Sequence, residues 1–150
     1  MKTKGTFKIF LPLIALIFSL GFSSCRDDDY GPSPYFYDSY LTGYWQLTRI
    51  DGVRVPEYQS NYLYFDGYGR GLYYYFDNYG RLYSKTLRYE CFDPGYSYSD
   101  LQLNILYQGD RYPQSMNYYF SGDGYTLYLW WKEGGRTVTY AYSYLQYFPY

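Results

Sequence analysis

The sequence predicts an all-β fold, an eight-stranded antiparallel up-and-down barrel, with a β-sandwich as the competing arrangement. Three observations lead to this prediction. Tyrosine, phenylalanine and tryptophan make up 27% of the chain, and all three favour strands. Short β-type runs alternate with turn signals from residue 41 onward, and no helical stripe is found after residue 25. Eight sequential strands leave two exposed edges unless the sheet closes or splits into two packed layers.

The first 24 residues have the pattern of a secretory signal. Three lysines form a basic start, residues 9–22 form an apolar run, and two serines precede Cys25. The apolar run is shorter than the ~20 residues that a comfortable membrane-spanning helix needs. We therefore expect a signal peptide over residues 1–24.

The segment Phe22-Ser23-Ser24-Cys25 resembles the lipobox of bacterial lipoproteins, with Phe22 where leucine is usual. The resemblance implies that Cys25 is acylated and becomes the mature N-terminus. The next residues, Arg26-Asp27-Asp28-Asp29, are similar to the acidic export signal of lipoproteins of the Bacteroidota. This second resemblance implies a lipid anchor in the bacterial outer membrane, exposed at the cell surface, with the periplasmic leaflet as the alternative.

Residues 25–40 are expected to be a lipidated, flexible tether. They hold the acidic run, Gly31, Pro32 and Pro34, and they show no periodicity. The remaining segment, 41–150, is long enough for one domain with a hydrophobic core.

Eight β-type runs are found in this domain, mostly joined by turn signals such as Asp-Gly and Gly-Gly. They cover residues 41–50, 61–65, 71–76, 81–92, 98–107, 112–120, 125–133 and 137–145.

Alternation of apolar and polar residues assigns the inward face of several runs. The faces expected to point inward are Leu101, Leu103, Ile105 and Tyr107; Leu127, Leu129 and Trp131; and Leu41, Gly43, Trp45 and Leu47. In the run Tyr73-Tyr74-Tyr75-Phe76 both faces are aromatic, so the pattern alone does not assign the inward face.

The residue types that usually carry catalysis are scarce. The chain contains no histidine, which is the commonest general acid and base at neutral pH. Once Cys25 is acylated, Cys91 stands alone in a strand-like stretch, where we expect a small buried side chain rather than a reactive thiol. Six aspartates lie in turn signals, where turn chemistry explains them: Asp51, Asp66, Asp77, Asp93, Asp110 and Asp123. The sequence predicts no enzyme, no catalytic residue, no metal site and no cofactor.

Charge also limits the partners. The whole chain has a formal net charge of −1, and removal of the signal lysines makes the remainder more acidic. Such a chain does not suit nucleic acid, because neutralisation of phosphates supplies most of that affinity.

The segment Leu41-Thr42-Gly43-Tyr44-Trp45-Gln46-Leu47 is similar to the Gly-x-Trp opening strand of lipocalins. Together with the lipobox and with Tyr62-Leu63-Tyr64-Phe65-Asp66-Gly67-Tyr68-Gly69, it resembles the small lipocalin-like lipoproteins of the Bacteroidota. The resemblance implies that Trp45 plugs the closed end of the barrel and that Gly43 permits close packing there. The Thr-Asp-Tyr motif of full lipocalins is absent, and Arg136 is the candidate for their late-strand arginine.

Two classes of function remain open. One is a binding module, in which aromatic side chains hold a small apolar or glycan ligand. The other is a structural component of the envelope that contacts a protein partner through tyrosines. The inward candidates for ligand binding are Tyr74, Tyr118, Trp131 and Tyr140, and the outward candidates are Tyr128 and Trp130. An aromatic cleft favours the first class, and a filled barrel with a flat tyrosine patch favours the second.

Overall fold

Eight antiparallel strands form a closed barrel in the computed structural model, and two short strands lie outside it. The structure describes residues 35–94 and 101–150. The predicted signal peptide, Cys25 and the tether up to residue 34 lie outside the described residues, as does the start of the predicted run 98–107. The barrel strands are β2 (Gly43–Ile50), β4 (Tyr62–Phe65), β5 (Arg70–Phe76), β6 (Leu82–Phe92), β7 (Gln102–Tyr107), β8 (Gln114–Phe120), β9 (Thr126–Glu133) and β10 (Arg136–Leu145). The outside strands are β1 (Tyr35–Phe36) and β3 (Val53–Arg54).

Each barrel strand pairs with the strands that precede and follow it, and the last strand pairs with the first. The closing pair is β10 with β2, in a register that runs from Tyr140 opposite Ile50 to Leu145 opposite Tyr44. A sandwich would leave these two strands as edges of separate sheets. The up-and-down barrel predicted from the turn signals is therefore confirmed, and the sandwich alternative is not adopted.

The domain begins earlier than the sequence predicts. Tyr35 and Phe36 form β1, which pairs with Phe92 and Cys91 at the end of β6. A 3₁₀ helix, Ser39–Leu41, follows, and an Asp38 carboxylate oxygen accepts a hydrogen bond from the backbone N–H of Tyr40 at 2.9 Å. This corrects the predicted tether, because residues 35–40 belong to the folded domain. The prolines and the acidic run that precede this segment are typical of a tether, and residues 35–40 were therefore assigned to the tether as well.

Alternation along the strands places one face of each in the core. Leu103 and Ile105 on β7 and Leu127 on β9 are fully buried, as the sequence pattern predicts. The buried core cluster runs along the barrel and consists of Leu41, Trp45, Leu47, Leu63, Phe65, Leu87, Tyr89, Cys91, Leu103, Ile105, Met116, Tyr118, Leu127, Leu129 and Tyr142. The barrel is therefore filled by side chains over most of its length.

One end of the barrel is closed by Trp45 and the 3₁₀ helix. The Trp45 side chain is 1% exposed, and its Nε1–H donates a hydrogen bond to the carbonyl of Leu41 at 2.7 Å. Gly43 has a φ of +119°, and a Cβ at this position would lie 2.7 Å from the Tyr144 ring. Glycine thus lets Tyr144 pack edge-on against Trp45, with ring centroids 5.4 Å apart.

The β4–β5 contact also requires a glycine. A Cβ on Gly71 would lie 2.0 Å from the backbone carbonyl oxygen of Tyr64, which is far inside van der Waals contact. The close approach brings Leu87 of β6 to within 2.9 Å of the same point. Any larger residue would push β4 and β5 apart.

Candidate ligand-binding site

A concave site lies at the barrel end opposite Trp45, where β2, β5, β7 and β9 end and β4, β6, β8 and β10 begin. We call it the cup. It is a cavity of about 370 Å³, lined by Asn61, Tyr73, Lys85, Tyr107, Asp110, Gln114, Trp131, Tyr140 and Tyr142. Its volume lies at the lower end of the range of about 300–1,000 Å³ that is usual for ligand pockets.

The strand register brings the aromatic rings of the cup together. Trp131 pairs with Val138 across β9 and β10, so Tyr140, two residues further along, is its diagonal neighbour on the same face. The two rings meet edge to face with centroids 4.9 Å apart. Tyr73 and Tyr107 form a second edge-to-face pair at 5.3 Å.

Tyr142 forms the floor of the cup. It is 4% exposed, and its hydroxyl donates a hydrogen bond to Asn61 Oδ1 at 3.1 Å. Its ring lies 6.5 Å from that of Tyr140. Leu47 and Leu127, which lie opposite Tyr142 on the two neighbouring strands, are both buried. The cup is therefore shallow and does not open into a lumen.

Burial disfavours ionisation of three phenols of the cup, those of Tyr73, Tyr107 and Tyr142. Desolvation raises the pKa of Tyr73 and of Tyr107 above the ordinary value of 10.0. The pKa of Tyr142 is raised well above that value, first by burial and then by the neighbouring Tyr107, Tyr73 and Tyr140. A neutral phenol both donates and accepts hydrogen bonds, so each hydroxyl suits a polar neutral group.

The rim of the cup is polar and exposed. It consists of Lys85, Asp110 and Gln114. Asp110 is held by a turn in which its backbone N–H donates to the carbonyl of Tyr107 at 3.0 Å. Neither Lys85 nor Asp110 forms an ion pair with another residue that the structure describes. The rim thus presents one positive group, the Lys85 ammonium, and one negative group, the Asp110 carboxylate.

Two of the four inward candidates, Trp131 and Tyr140, line the cup. Tyr118 faces inward but lies at the closed end, where it is fully buried and its hydroxyl donates to an Asp38 carboxylate oxygen at 2.9 Å. Tyr74 lies on the outside of the barrel, which corrects the inward assignment. Its neighbour Tyr73 packs against the core, and strand alternation therefore directs Tyr74 outward, onto the ring of Phe148.

The outward candidates Tyr128 and Trp130 lie on the opposite face of β9 from Leu127 and Leu129. Tyr128 stacks on Tyr119 of β8, with centroids 4.6 Å apart and an interplanar angle of 11°. Trp130 pairs with Asn117 and Thr139 on the neighbouring strands. Neither ring contributes to the cup.

Several residues that line the cup were not predicted from the sequence as ligand-binding residues. Tyr107 was placed on the inward face of its run, and its position at the end of that run could have assigned it to the mouth of the barrel. Tyr142 lies two residues after Tyr140, so the alternation along β10 was the signal that could have found it. Lys85 lies within β6, on the same face as the buried Leu87, so alternation along this strand was the signal for it. Asn61, Asp110 and Gln114 lie at strand ends and turns, and the sequence carries no signal for their convergence.

A larger groove of about 440 Å³ lies on the outside of the barrel, beside β2 and the segment that follows β3. Arg49 and Arg54 pair directly across β2 and β3 and both line this groove. No aromatic side chain of the described residues lines this groove, so the high aromatic content of the chain gives no reason to favour it as the ligand site.

The predicted turn roles of two aspartates are confirmed. Asp66 Oδ1 accepts from the backbone N–H groups of Tyr68 at 2.7 Å and Arg70 at 3.0 Å. Asp77 Oδ1 accepts in the same way from Tyr79 at 2.8 Å and Arg81 at 2.9 Å. These carboxylates organise their hairpins by accepting hydrogen bonds from the turn backbone.

Cys91 lies at the closed end of the barrel, and Arg136 lies at the opposite end. Cys91 is fully buried at the closed end, as expected, and burial raises the pKa of its thiol. Arg136 pairs with Asp51 at 2.8 Å. Asp51 follows the last residue of β2 and Arg136 is the first residue of β10, so this ion pair lies at the cup end of the barrel.

Within residues 35–94 and 101–150, no group of three or more histidine, cysteine, aspartate or glutamate side chains could hold a metal ion. No helix in this part of the chain is long and apolar enough to cross a membrane. Comparisons with protein-family models, with curated proteins and with solved structures found no match for this chain.

Proposed function

We propose that this chain is a non-enzymatic binding protein of the bacterial cell envelope that holds a small apolar or glycan ligand in the cup. One observation carries the proposal: five aromatic rings line one concave site. They belong to Tyr73, Tyr107, Trp131, Tyr140 and Tyr142. Aromatic faces pack on sugar rings and on apolar groups, and phenol hydroxyls add directional hydrogen bonds.

The proposal includes a membrane anchor at Cys25. Its support is the basic start, the apolar run and the small residues before this cysteine, with the acidic segment behind it. A lipid at Cys25 would hold the binding domain at the outer membrane, on the cell surface. The resemblance to small lipocalin-like lipoproteins of the Bacteroidota belongs to the same proposal.

A role without catalysis is supported by the surroundings of the reactive side chains. The chain has no histidine. Asp66 and Asp77 are engaged by backbone N–H groups in their turns, and the Cys91 thiol is buried. A binding role uses the aromatic rings and does not require an activated nucleophile.

Trp131 and Trp130 provide a matched test of the cup, because they are adjacent on β9 and face opposite sides. Isothermal titration of the full chain with neutral saccharides and short-chain alcohols should find at least one ligand. We expect Trp131→Ala to weaken its binding about tenfold or more, and Trp130→Ala to leave it within about twofold. Loss in Trp130→Ala alone would move the site to the outside of the barrel, and no ligand at all would refute the proposal.

The anchor is tested separately by mass spectrometry of the protein isolated from native membranes. We expect an N-terminal peptide that begins at Cys25 and carries acyl chains. The Cys25→Ala chain should be released from the membrane fraction. An N-terminus elsewhere, or an unmodified Cys25 in the membrane fraction, would contradict the anchor while leaving the cup untouched.

The second candidate is a structural or protein-interaction component of the outer membrane. The observation that favours it is the pair Tyr119 and Tyr128, stacked on the outside of the barrel beside Trp130. Tyrosine and tryptophan are enriched at protein interfaces. Crosslinking on intact cells that recovers one protein, and that fails with Trp130→Ala, would support this candidate.

A further inference from the structure

The polar groups of the cup select among its ligands. Asn61, Lys85, Asp110 and Gln114 line it together with the rings. An apolar ligand would cover part of these groups without offering them a hydrogen bond. An unsatisfied buried polar group is unfavourable by about 1–3 kcal/mol. A ligand that offers hydroxyl groups along its edge avoids this penalty.

The tyrosine hydroxyls supply further hydrogen-bonding positions. Tyr107 is half-buried in the cup wall, where its ring meets that of Tyr73 with centroids 5.3 Å apart. The Tyr142 hydroxyl and the Asn61 side chain are already bonded to each other and hold the floor in place. Because a neutral phenol both donates and accepts hydrogen bonds, the Tyr107 hydroxyl can bond to a ligand hydroxyl that donates or to one that accepts.

The rings offer apolar faces above this polar floor. Trp131 and Tyr140 meet edge to face, and both half-buried rings line the cup. The C–H groups of a sugar ring form apolar faces of comparable size, while its hydroxyls point outward along the edge. The cup thus combines the two surfaces that a sugar ring requires.

Size and charge narrow the ligand further. The cup holds about 370 Å³ and is closed below by Tyr142, so it suits a compact ligand of about one or two rings rather than a long acyl chain. Lys85 and Asp110 carry opposite charges at the rim, so neither an anion nor a cation is favoured. A neutral ligand fits this balance.

We propose that the cup binds a neutral sugar of about one or two rings, stacked against Trp131 and Tyr140 and hydrogen-bonded through its hydroxyls to Tyr107 and Asp110. This inference rests on the proposed function, since it names the ligand class of the same site. The competing class, a small apolar ring, has the same dimensions and lacks the hydroxyls.

Cyclohexanol is a suitable competing probe, because it matches a pyranose in ring size and carries a single hydroxyl. The purified full chain is titrated calorimetrically with neutral hexoses, N-acetylhexosamines and their disaccharides, and separately with cyclohexanol. We expect at least one sugar to bind ten times more tightly than cyclohexanol or better. Trp131→Ala should abolish or strongly weaken this binding, and Trp130→Ala should not.

Tyr107→Phe removes one hydroxyl and keeps the ring. We expect sugar binding to weaken about threefold to tenfold, while cyclohexanol binding stays within about twofold. The matched control is Tyr119→Phe on the outside of the barrel, which should change neither. Unfolding midpoints of all variants exclude a simple loss of folding.

The outcomes separate the two proposals. Cyclohexanol bound in the cup, with no sugar bound as tightly, overturns the sugar and leaves the cup as an apolar ligand site. Sugar binding that is unchanged in both Trp131→Ala and Tyr107→Phe would show that the sugar binds outside the cup, and it would overturn the proposal. Absence of binding for both probe classes overturns the sugar and the proposed function together.

Discussion

Trp45 lies on the inward face predicted from the sequence, and it is the residue around which the closed end of the barrel packs. Its indole ring contacts Phe120 and Tyr144, with centroids 5.8 and 5.4 Å away. Its N–H has a buried partner in the carbonyl of Leu41, so the polar atom is satisfied without water. Gly43, two residues earlier, leaves the space that Tyr144 fills.

The first prediction concerns this tryptophan. Trp45→Ala should lower the free energy of unfolding by about 3–5 kcal/mol, because it leaves a cavity in a close-packed core and frees a buried carbonyl. Urea denaturation, followed by circular dichroism, measures the loss. Trp130→Ala, at a half-buried position on the outside of β9, should lower the same quantity by less, about 1–2 kcal/mol. A loss below about 1 kcal/mol for Trp45→Ala would mean that this side chain is not in the core.

For Tyr118, alternation along the strand predicts the face on which the side chain lies, but not its depth in the barrel or its hydrogen-bond partner. The sequence placed Tyr118 on the inward face of its run, and the structure agrees. Alternation does not give the depth along the barrel, which depends on the pairing of Tyr118 with Leu129 on β9. The partner Asp38 is 80 residues away in sequence, in a segment that was predicted to be a tether. Such a contact cannot be read from local pattern.

At the scale of elements, the segment after β10 explains why the outside of the barrel is aromatic. We call Tyr44, Tyr62, Tyr64 and Tyr74, on the outer face of β2, β4 and β5, the outer aromatic patch. Phe148 stacks on Tyr74 with centroids 4.2 Å apart and contacts Tyr44 and Tyr62 at 5.6 and 5.5 Å. Tyr62 is fully buried as a result. An outward-facing tyrosine thus becomes part of a second, smaller hydrophobic cluster.

The second prediction concerns this cluster. Phe148→Ala should lower the free energy of unfolding by about 1–3 kcal/mol, since a half-buried ring loses its contacts and Tyr62 becomes exposed. Tyr147→Ala is the matched control: its side chain is 74% exposed, and we expect a change within about 0.5 kcal/mol. Equal effects of the two substitutions would show that the segment after β10 does not stabilise the barrel.

At the scale of the whole molecule, the turn signals were sufficient for the topology. Eight runs joined by short turns permit sequential antiparallel pairing, and closure then removes both edges. The predicted runs and the barrel strands agree to within a few residues at each end. The short strands β1 and β3 were not predicted, because two residues carry no periodicity. Of the cup, only Trp131 and Tyr140 were predicted as ligand-binding residues. Its other residues come from separate strands and turns, and alternation along one strand does not show which residues of different strands meet after closure.

The many buried tyrosines also give the whole molecule a characteristic response to alkaline pH. Burial raises the pKa of Tyr107, Tyr118 and Tyr142 in the folded state above the ordinary value of 10.0. Above pH 10.0 the unfolded chain releases phenol protons that the folded chain retains. Stability from these groups is therefore fully present below pH 10.0 and is lost as the pH rises through the folded-state pKa values.

The third prediction follows from this difference in bound protons. The free energy of unfolding, measured by urea denaturation between about pH 9 and about pH 12, should be level at first and fall steadily above about pH 10. Tyr142→Phe removes one of the protons retained by the folded chain. Its slope above pH 10 should be shallower by up to about 1.4 kcal/mol per pH unit. Trp130→Phe, which removes no phenol, should keep the original slope. A slope in Tyr142→Phe equal to that of the unaltered chain would mean that the Tyr142 phenol ionises in the folded protein as readily as in the unfolded chain, and that the floor of the cup is open to water.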